Sequence, residues 1–338
     1  MDILVVDDSA FMRKIVTDLL EKMPNIRVTN TARNGRQALE ILEKQEPLDL
    51  VLLDVEMPIL NGLDTLKAIK QRYDIPVVML SALSNKEVTI EALALGAADF
   101  VEKPTNIKEI HDEWVREFHT KIKSIHSQKK PVTKQERKKI SQPNLKISER
   151  KIPDKIQAVV VGASTGGPKA LLQLSKSLSS TLKVPIFIVQ HMPKGFTTSF
   201  AHRLNDECAV PVKEATDGML VENCVYLCPG DYHMTLKQGR IALNQEAKVH
   251  GTRPAVDYLF KSAASTYREG LIGVLLTGMG KDGALGMGEI QRLGGYTIAQ
   301  DKETSVVFGM PRQAILAGAV NEVLSLEEIA NKVKQMVR

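Results

Sequence analysis

Short runs dense in Val, Ile and Leu alternate with amphipathic stretches of helical period along most of this chain, and few folds accept that pattern. Over residues 1–104 the runs ILVVDD, IRVTNTA, LDLVLLDVEM, IPVVMLSA and DFVEKP are separated by FMRKIVTDLLEKM, GRQALEILEKQ, GLDTLKAIKQR and KEVTIEALALG. Near-continuous apolar strands joined by helical crossovers imply a parallel sheet covered on both faces, here an α/β domain of five strand-helix units. The alternation resumes after residue 155 with IQAVVVGAS, PKALLQLSKSL, VPIFIVQH and GFTTSFAHRL. It then crosses a stretch read as hairpins (CVYLCPG, YHMTLKQ, RIALN) and returns to helix and strand from AVDYLFKSAASTY onward. A second α/β domain with a small antiparallel insertion is expected.

Between the two lies KIKSIHSQKKPVTKQERKKISQPNLKISERKIPDK, residues 121–155, poor in large apolar side chains and unable to bury enough surface to offset the entropy of ordering. It holds twelve Lys/Arg against three Asp/Glu, a net of +9, whereas the whole chain carries +5 and the remainder therefore −4. Basicity is thus a property of one linker. No aromatics interleave it and no recognition fold surrounds it, so nucleic-acid binding is not expected. The expected organisation is a domain over 1–120, a basic linker over 121–155 and a second domain over 156–338. At 338 residues, each domain is long enough to bury its own core. Three cysteines are too few and odd in number for a disulfide framework, which favours a reducing compartment, and Cys224 and Cys228 near His233 lack a fourth metal ligand. The start MDILVVDD places acids where a signal peptide needs basic residues, and no apolar run approaches the ~18 residues of a membrane span. A cytoplasmic monomer without membrane insertion is expected.

In open α/β sheets, ligands sit at the carboxyl ends of the strands. In the first domain those ends carry Asp7 and Asp8, Asp54, Ser81 and Lys103. Three converging carboxylates repel one another unless a cation neutralises them, and a hard ion such as Mg²⁺ suits oxygen ligands. Lys103 and Ser81 then face an anion beside that metal, as a phosphoryl group requires.

VVDDS, LLDVEMP with its following NG, the hydroxyl in MLSA, and DFVEKP resemble the receiver domain of two-component response regulators. The resemblance implies a flavodoxin-like five-stranded parallel sheet. It also implies that Asp54 accepts a phosphoryl group from a histidine kinase, that Asp7 and Asp8 help Asp54 hold Mg²⁺, and that Ser81 and Lys103 contact the phosphoryl oxygens. Phe100 falls at the family's switch aromatic, and the Lys103–Pro104 bond is expected to be cis.

The second domain carries two glycine-rich turns. Gly278-Met279-Gly280-Lys281-Asp282-Gly283 fits the dinucleotide fingerprint G-x-G-x-x-G, with Asp301 at about the usual distance for a ribose-binding acid. Against that reading, a pyrophosphate there would meet the Asp282 carboxylate, and too little chain follows Asp301 for a second mononucleotide half. Gly162-Ala163-Ser164-Thr165-Gly166 fits the G-x-S-x-G nucleophile elbow, placing a hydroxyl between a strand and a helix N-terminus whose N–H groups can stabilise an oxyanion. A bare Ser there is more often an N-cap, and a nucleophilic serine needs a base. His191 ends the next strand at the same sheet edge, and Asp282 can orient the imidazole. The chain order Ser, His, Asp differs from that of α/β-hydrolases.

VVVGASTGGP, VQHMPKGFTTSFAHRL, CPGDYHM, RPAVDYLF, LLTGMGKDGALG and QDKETSVVFGMPRQAI closely resemble the chemotaxis receptor methylesterases over roughly 155–337. The resemblance implies a Rossmann-like α/β methylesterase domain with a catalytic triad of Ser164, His191 and Asp282. Met279 and Thr165 would lie near the oxyanion and Arg253 would line the cleft, with no cofactor in this domain. It further implies hydrolysis of methyl esters on chemoreceptor glutamates, deamidation of selected glutamines, and activation by phosphorylation. Ala255 departs from the Ser common in relatives. The alternative is a response regulator whose second domain binds a partner or nucleotide without catalysis.

Overall fold

The computed structural model describes residues 1–44, 48–104, 112–126 and 151–338, and the chain separates into two compact units, Met1–Lys130 and Pro131–Arg338. Residues 127–150 of the expected linker lie outside the described residues; its first six belong to the last helix of the first unit.

The first unit runs β1 (Asp2–Val6), α1 (Ala10–Glu21), β2 (Arg27–Ala32), α2 (Gly35–Lys44), β3 (Leu50–Asp54), α3 (Gly62–Arg72), β4 (Val77–Ser81), α4 (Lys86–Ala94), β5 (Asp99–Glu102) and α5 (Asp112–His126). Its sheet is wholly parallel in the order β2-β1-β3-β4-β5. Every residue of β3 and β4 is buried, which is why those runs read as unbroken apolar sequence. Ser9 and Asn61 start α1 and α3 by accepting the Met12 and Asp64 backbone N–H groups. Gly62 is needed for a close approach: a Cβ there would fall 2.0 Å from the Asp54 carbonyl oxygen, so only glycine lets α3 begin against the end of β3.

The second unit comprises β6 (Ala158–Ala163), α6 (Gly167–Ser177), β7 (Ile186–Gln190), α7 (Phe196–Glu207), β8 (Val212–Glu214), β9 (Val225–Leu227), β10 (His233–Lys237) and β11 (Arg240–Asn244). It continues with α8 (Val256–Tyr267), β12 (Leu271–Leu275), α9 (Ala284–Arg292), β13 (Tyr296–Gln300), α10 (Met310–Leu316), β14 (Glu322–Leu324) and α11 (Leu326–Met336). Seven parallel strands form one sheet in the order β14-β13-β12-β6-β7-β9-β8, and β10 with β11 makes the antiparallel insertion. CVYLCPG is therefore not part of a hairpin. Its strand β9 is buried throughout and lies parallel to β7, with Tyr226 stacked on Phe187 at 5.4 Å. Three buried residues carry no period that separates a parallel from an antiparallel partner. The chain runs from β6 outward through β7 and returns to β12 on the other side, so the switch point lies beside the carboxyl end of β6.

Candidate active site

Ser164 is the first residue past β6, and its backbone is held from both sides. Its N–H donates to the Thr277 carbonyl (3.0 Å), and its carbonyl accepts from the Gly167 N–H (2.7 Å) and the Gln190 side-chain amide (3.0 Å). Gly166 takes a φ of +78° to bring the chain into α6, which has Pro168 in its first turn. On the other side Gly278 backs directly onto the serine, since a Cβ there would lie 2.8 Å from the Ser164 Cβ. The half-buried Ser164 hydroxyl forms no hydrogen bond among the described residues.

Strand register brings the base alongside. Ala163 pairs with Gln190, the His191 N–H donates to the Ala163 carbonyl (3.1 Å), and the next residues, Ser164 and His191, leave the sheet side by side. His191 Nε2 lies 2.7 Å from Asp282 Oδ2. An ionised carboxylate only accepts, so Nε2 carries the proton and Nδ1 is left as the basic nitrogen.

Asp282 is 2% exposed and accepts from the backbone N–H groups of Val256 (2.6 Å, to Oδ2), Asp257 (3.0 Å, to Oδ1) and Gly283 (2.9 Å, to Oδ1). Val256 and Asp257 open α8, so the carboxylate also sits at a helix N-terminus. Burial raises its pKa, but the His191 bond and charge and these backbone N–H groups outweigh that and hold it below the ordinary carboxylate value. Its neighbour Asp257 is the opposite case: burial dominates and raises its pKa, although Oδ1 accepts from the Gly286 N–H at 2.7 Å. Of these two buried acids, Asp282 is the one held below the ordinary carboxylate value.

Thr165 is buried, and its carbonyl accepts from the Thr277 hydroxyl (2.9 Å). Met279 is half-buried and follows Gly278 along the turn that touches Ser164. The Arg253 guanidinium is committed to the insertion: it pairs with Asp231 (2.6 Å) and donates to the Gln245 and Glu246 carbonyls (2.9 and 3.0 Å). Ala255, fully buried, donates its N–H to His233 Nδ1 (3.2 Å). The dinucleotide reading fails on this geometry. The Asp282 carboxylate is turned inward onto His191, and Asp301 Oδ1 caps its own turn by accepting from the Thr304 N–H (2.9 Å) and hydroxyl. Gln190, Thr277 and Asp257 lie within the blocks VQHMPKGFTTSFAHRL, LLTGMGKDGALG and RPAVDYLF or directly beside them, but nothing in the sequence singles them out for a role. Gln190 and Thr277 leave one trace, a polar side chain at the end of or just beyond an apolar strand, whereas Asp257 lies in the first turn of α8.

In the first unit Asp7, Asp8 and Asp54 bring carboxylate oxygens within 4.8 Å of one another, the group of metal-ligating type found among the described residues. The Lys103 ammonium lies 2.7 Å from both Asp7 and Asp54. Burial pushes the Asp54 pKa up to about 6 against the opposing pull of Lys103, with Asp7 adding to the rise. The Ser81 hydroxyl donates to the Ala82 carbonyl (3.1 Å) and is also bonded to the Thr89 hydroxyl. Phe100 is buried, with the Lys121 ammonium 5.3 Å from its ring centroid. The expected cis bond at Lys103–Pro104 is absent; among the described residues the cis peptide is Arg253–Pro254. The two isomers of an X-Pro bond differ by only about 0.5–1 kcal/mol, so tertiary context rather than local sequence selects between them.

Residues 159–333 match the family described as CheB methylesterase, and residues 3–114 match the response regulator receiver domain. The chain is 45% identical to the protein-glutamate methylesterase/protein-glutamine glutaminase of Pyrococcus horikoshii, over 99% of this chain and 93% of that one. With the protein of the same description from Clostridium acetobutylicum it shares 42% identity over 99% and 97%. Among solved structures, the Thermotoga maritima CheB methylesterase catalytic domain is similar at TM-score 0.52 and 42% identity, covering 54% of this chain and all of that one. Among the described residues no helix is long and apolar enough to cross a membrane.

Proposed function

Since this chain belongs to the CheB protein-glutamate methylesterase/glutaminase family, with an N-terminal receiver domain, we propose that Ser164, His191 and Asp282 are its catalytic triad. The enzyme acts in chemotaxis adaptation and is regulated by its receiver domain. The observation that carries the triad is the 2.7 Å His191–Asp282 pair at the strand end next to that of Ser164, whose hydroxyl has no bond among the described residues.

His191 Nδ1 takes the Ser164 proton as Oγ attacks the side-chain carbonyl of a glutamyl methyl ester. The imidazolium that results is stabilised by the ionised Asp282. Negative charge gathers on the former carbonyl oxygen, beside the N-terminus of α6 and near the backbone of Thr165 and Met279. Collapse breaks the C–O bond to methoxide, which leaves as methanol with the proton returned by His191. Water, deprotonated by the same imidazole, then attacks the acyl carbon, and glutamate and free Ser164 are released. With a glutamine side chain the leaving group is ammonia and the product is again glutamate. Arg253 serves the cleft by fixing the β10–β11 insertion through Asp231.

In the receiver, Asp54 accepts a phosphoryl group from the chemotaxis histidine kinase, and Lys103 and Ser81 contact its oxygens. The all-oxygen donor set of Asp7, Asp8 and Asp54 fits a hard divalent cation, and Mg²⁺ held there would offset the charge gathered during phosphoryl transfer. Phe100 relays the change. The receiver runs to the end of α5 at His126, the basic linker follows to 155 and the catalytic domain occupies 156–338, in keeping with the two matched regions. The substrates are methyl-accepting receptors, whose cytoplasmic helices place this monomeric enzyme in the cytoplasm.

The test is methanol release from methylated receptor, with and without a small-molecule phosphodonor. The wild type should release methanol, faster with the donor, and Ser164→Ala should release none above background in either condition. Equal release by the variant would remove the serine from the mechanism.

A further inference from the structure

Gln190 closes β7 after Ile186, Phe187, Ile188 and Val189, and its carboxamide is 2% exposed. Burying such a group costs free energy unless its polar atoms find partners. Nε2 finds two, donating to the Ser164 carbonyl and the His191 carbonyl, each at 3.0 Å. Oε1 finds none among the described residues. That oxygen is pressed toward Gly167, where a Cβ would fall 2.1 Å from it. The start of α6 thus has room for this amide only because residue 167 has no side chain. A side chain that merely filled the space would do so without two aligned donors and an unpaired acceptor. What the amide achieves is a fixed span between the backbone of the nucleophile and that of the base.

We propose that Gln190 is a positioning residue for ester hydrolysis, locking the Ser164 and His191 strand ends at the separation that proton transfer between their side chains requires. The inference rests on the triad reading above. Ser164 keeps its bonds to Thr277 and Gly167 without Gln190, so the elbow survives the loss of the amide, while its distance from His191 is left to the β6–β7 backbone pairing alone. Misplacement of reacting groups by about 1 Å costs on the order of 10²-fold in rate.

Two variants of the full-length protein test this. Gln190→Met keeps the length of the side chain and removes both donors. Gln190→Glu offers two oxygens to two carbonyls and can donate only when protonated, which burial favours. For Gln190→Met, kcat on methylated receptor should fall about 10- to 100-fold. KM should stay within about threefold, and acylation of Ser164 by a fluorophosphonate probe should slow in parallel, because the substrate surface is untouched and the chemical step is not. For Gln190→Glu, the ratio of its kcat to that of the wild type should rise as pH falls from 8 to 6, whereas the ratio for Gln190→Met stays flat. Wild-type kcat in Gln190→Met would overturn the proposal. So would losses that track melting temperature alone with flat ratios in both variants. If Gln190→Met does not fold, the pH dependence of Gln190→Glu decides by itself. Ser164→Ala in the same assay separates the two ideas: activity there defeats the triad, whereas an inactive Ser164→Ala beside a normal Gln190→Met defeats only the role of Gln190.

Discussion

Replacing Asp282 by Asn removes one charge and converts one acceptor oxygen into a donor, and the contacts around it determine which way the amide settles. Oδ2 now takes the Val256 N–H and His191 Nε2, while Oδ1 takes the Asp257 and Gly283 N–H groups. If the Asn oxygen occupies the Oδ1 place, one backbone N–H, that of Val256, faces the amide nitrogen. If it occupies the Oδ2 place, two do. Each buried N–H left without an acceptor costs about 1–3 kcal/mol, so the first orientation is favoured. It presents N–H to His191 Nε2, which can only accept, and the imidazole proton must move to Nδ1. The base is then protonated on the nitrogen proposed to take the serine proton. Turnover should fall about 10⁴-fold, the loss known when a triad Asp becomes Asn in another serine hydrolase. Stability of the second unit should fall by about 2–4 kcal/mol, the orphaned N–H together with the lost charge at the start of α8. The sign with pH follows from the depressed pKa. Asp282 contributes stability above its unfolded value of 3.8, and that contribution is lost as pH falls through the lower folded value. The stability gap between wild type and Asp282→Asn should therefore narrow as pH falls below about 4. Calorimetry and methanol release on the same preparations check both parts. An unshifted transition with turnover within tenfold of wild type would refute the reasoning.

Gly278→Ala would bring a Cβ 2.3 Å from Met310 Sδ and 2.8 Å from Ser164 Cβ. We expect about 1–3 kcal/mol of lost stability and up to about 10²-fold lower kcat, read by thermal melting and steady-state hydrolysis; an unchanged kcat would separate the turn from the serine. Asp54→Asn should keep hydrolysis without phosphodonor within about twofold of wild type and abolish the stimulation by phosphodonor, since no phosphoryl acceptor remains. Removing divalent cations with a chelator should likewise block stimulation and leave unstimulated methanol release intact, because the proposed ester chemistry runs through Ser164, His191 and Asp282.

Strand ends made much of this molecule legible in its sequence. Asp7, Asp54, Ser81 and Lys103 sit at or just past consecutive apolar runs, as do Ser164 and His191, and in a parallel sheet such positions share one edge. That rule places His191 and Asp282 at one edge of the sheet, and the turn after β12 closes the 2.7 Å between them. Gln190 is different. Its partners are main-chain carbonyls, and which carbonyls an amide reaches depends on the offset between β6 and β7. The reciprocal caps of Asp257 and Asp282 on α9 and α8 are hidden for the same reason. CVYLCPG misleads because three buried residues have no readable period, and Lys103–Pro104 because the two proline isomers are nearly equal in energy.

The central claim is that the ester is cleaved through an acyl bond on Ser164. Because the acyl group belongs to the receptor, the intermediate is a covalent conjugate of the two polypeptides. Acid quenching of enzyme turning over a methylated receptor fragment, followed by peptide mass mapping, detects it directly. The account predicts a glutamyl ester on Ser164 that decays at the rate at which glutamate appears. Methanol release at full rate with Ser164 unmodified at every time, or from Ser164→Ala, would contradict it.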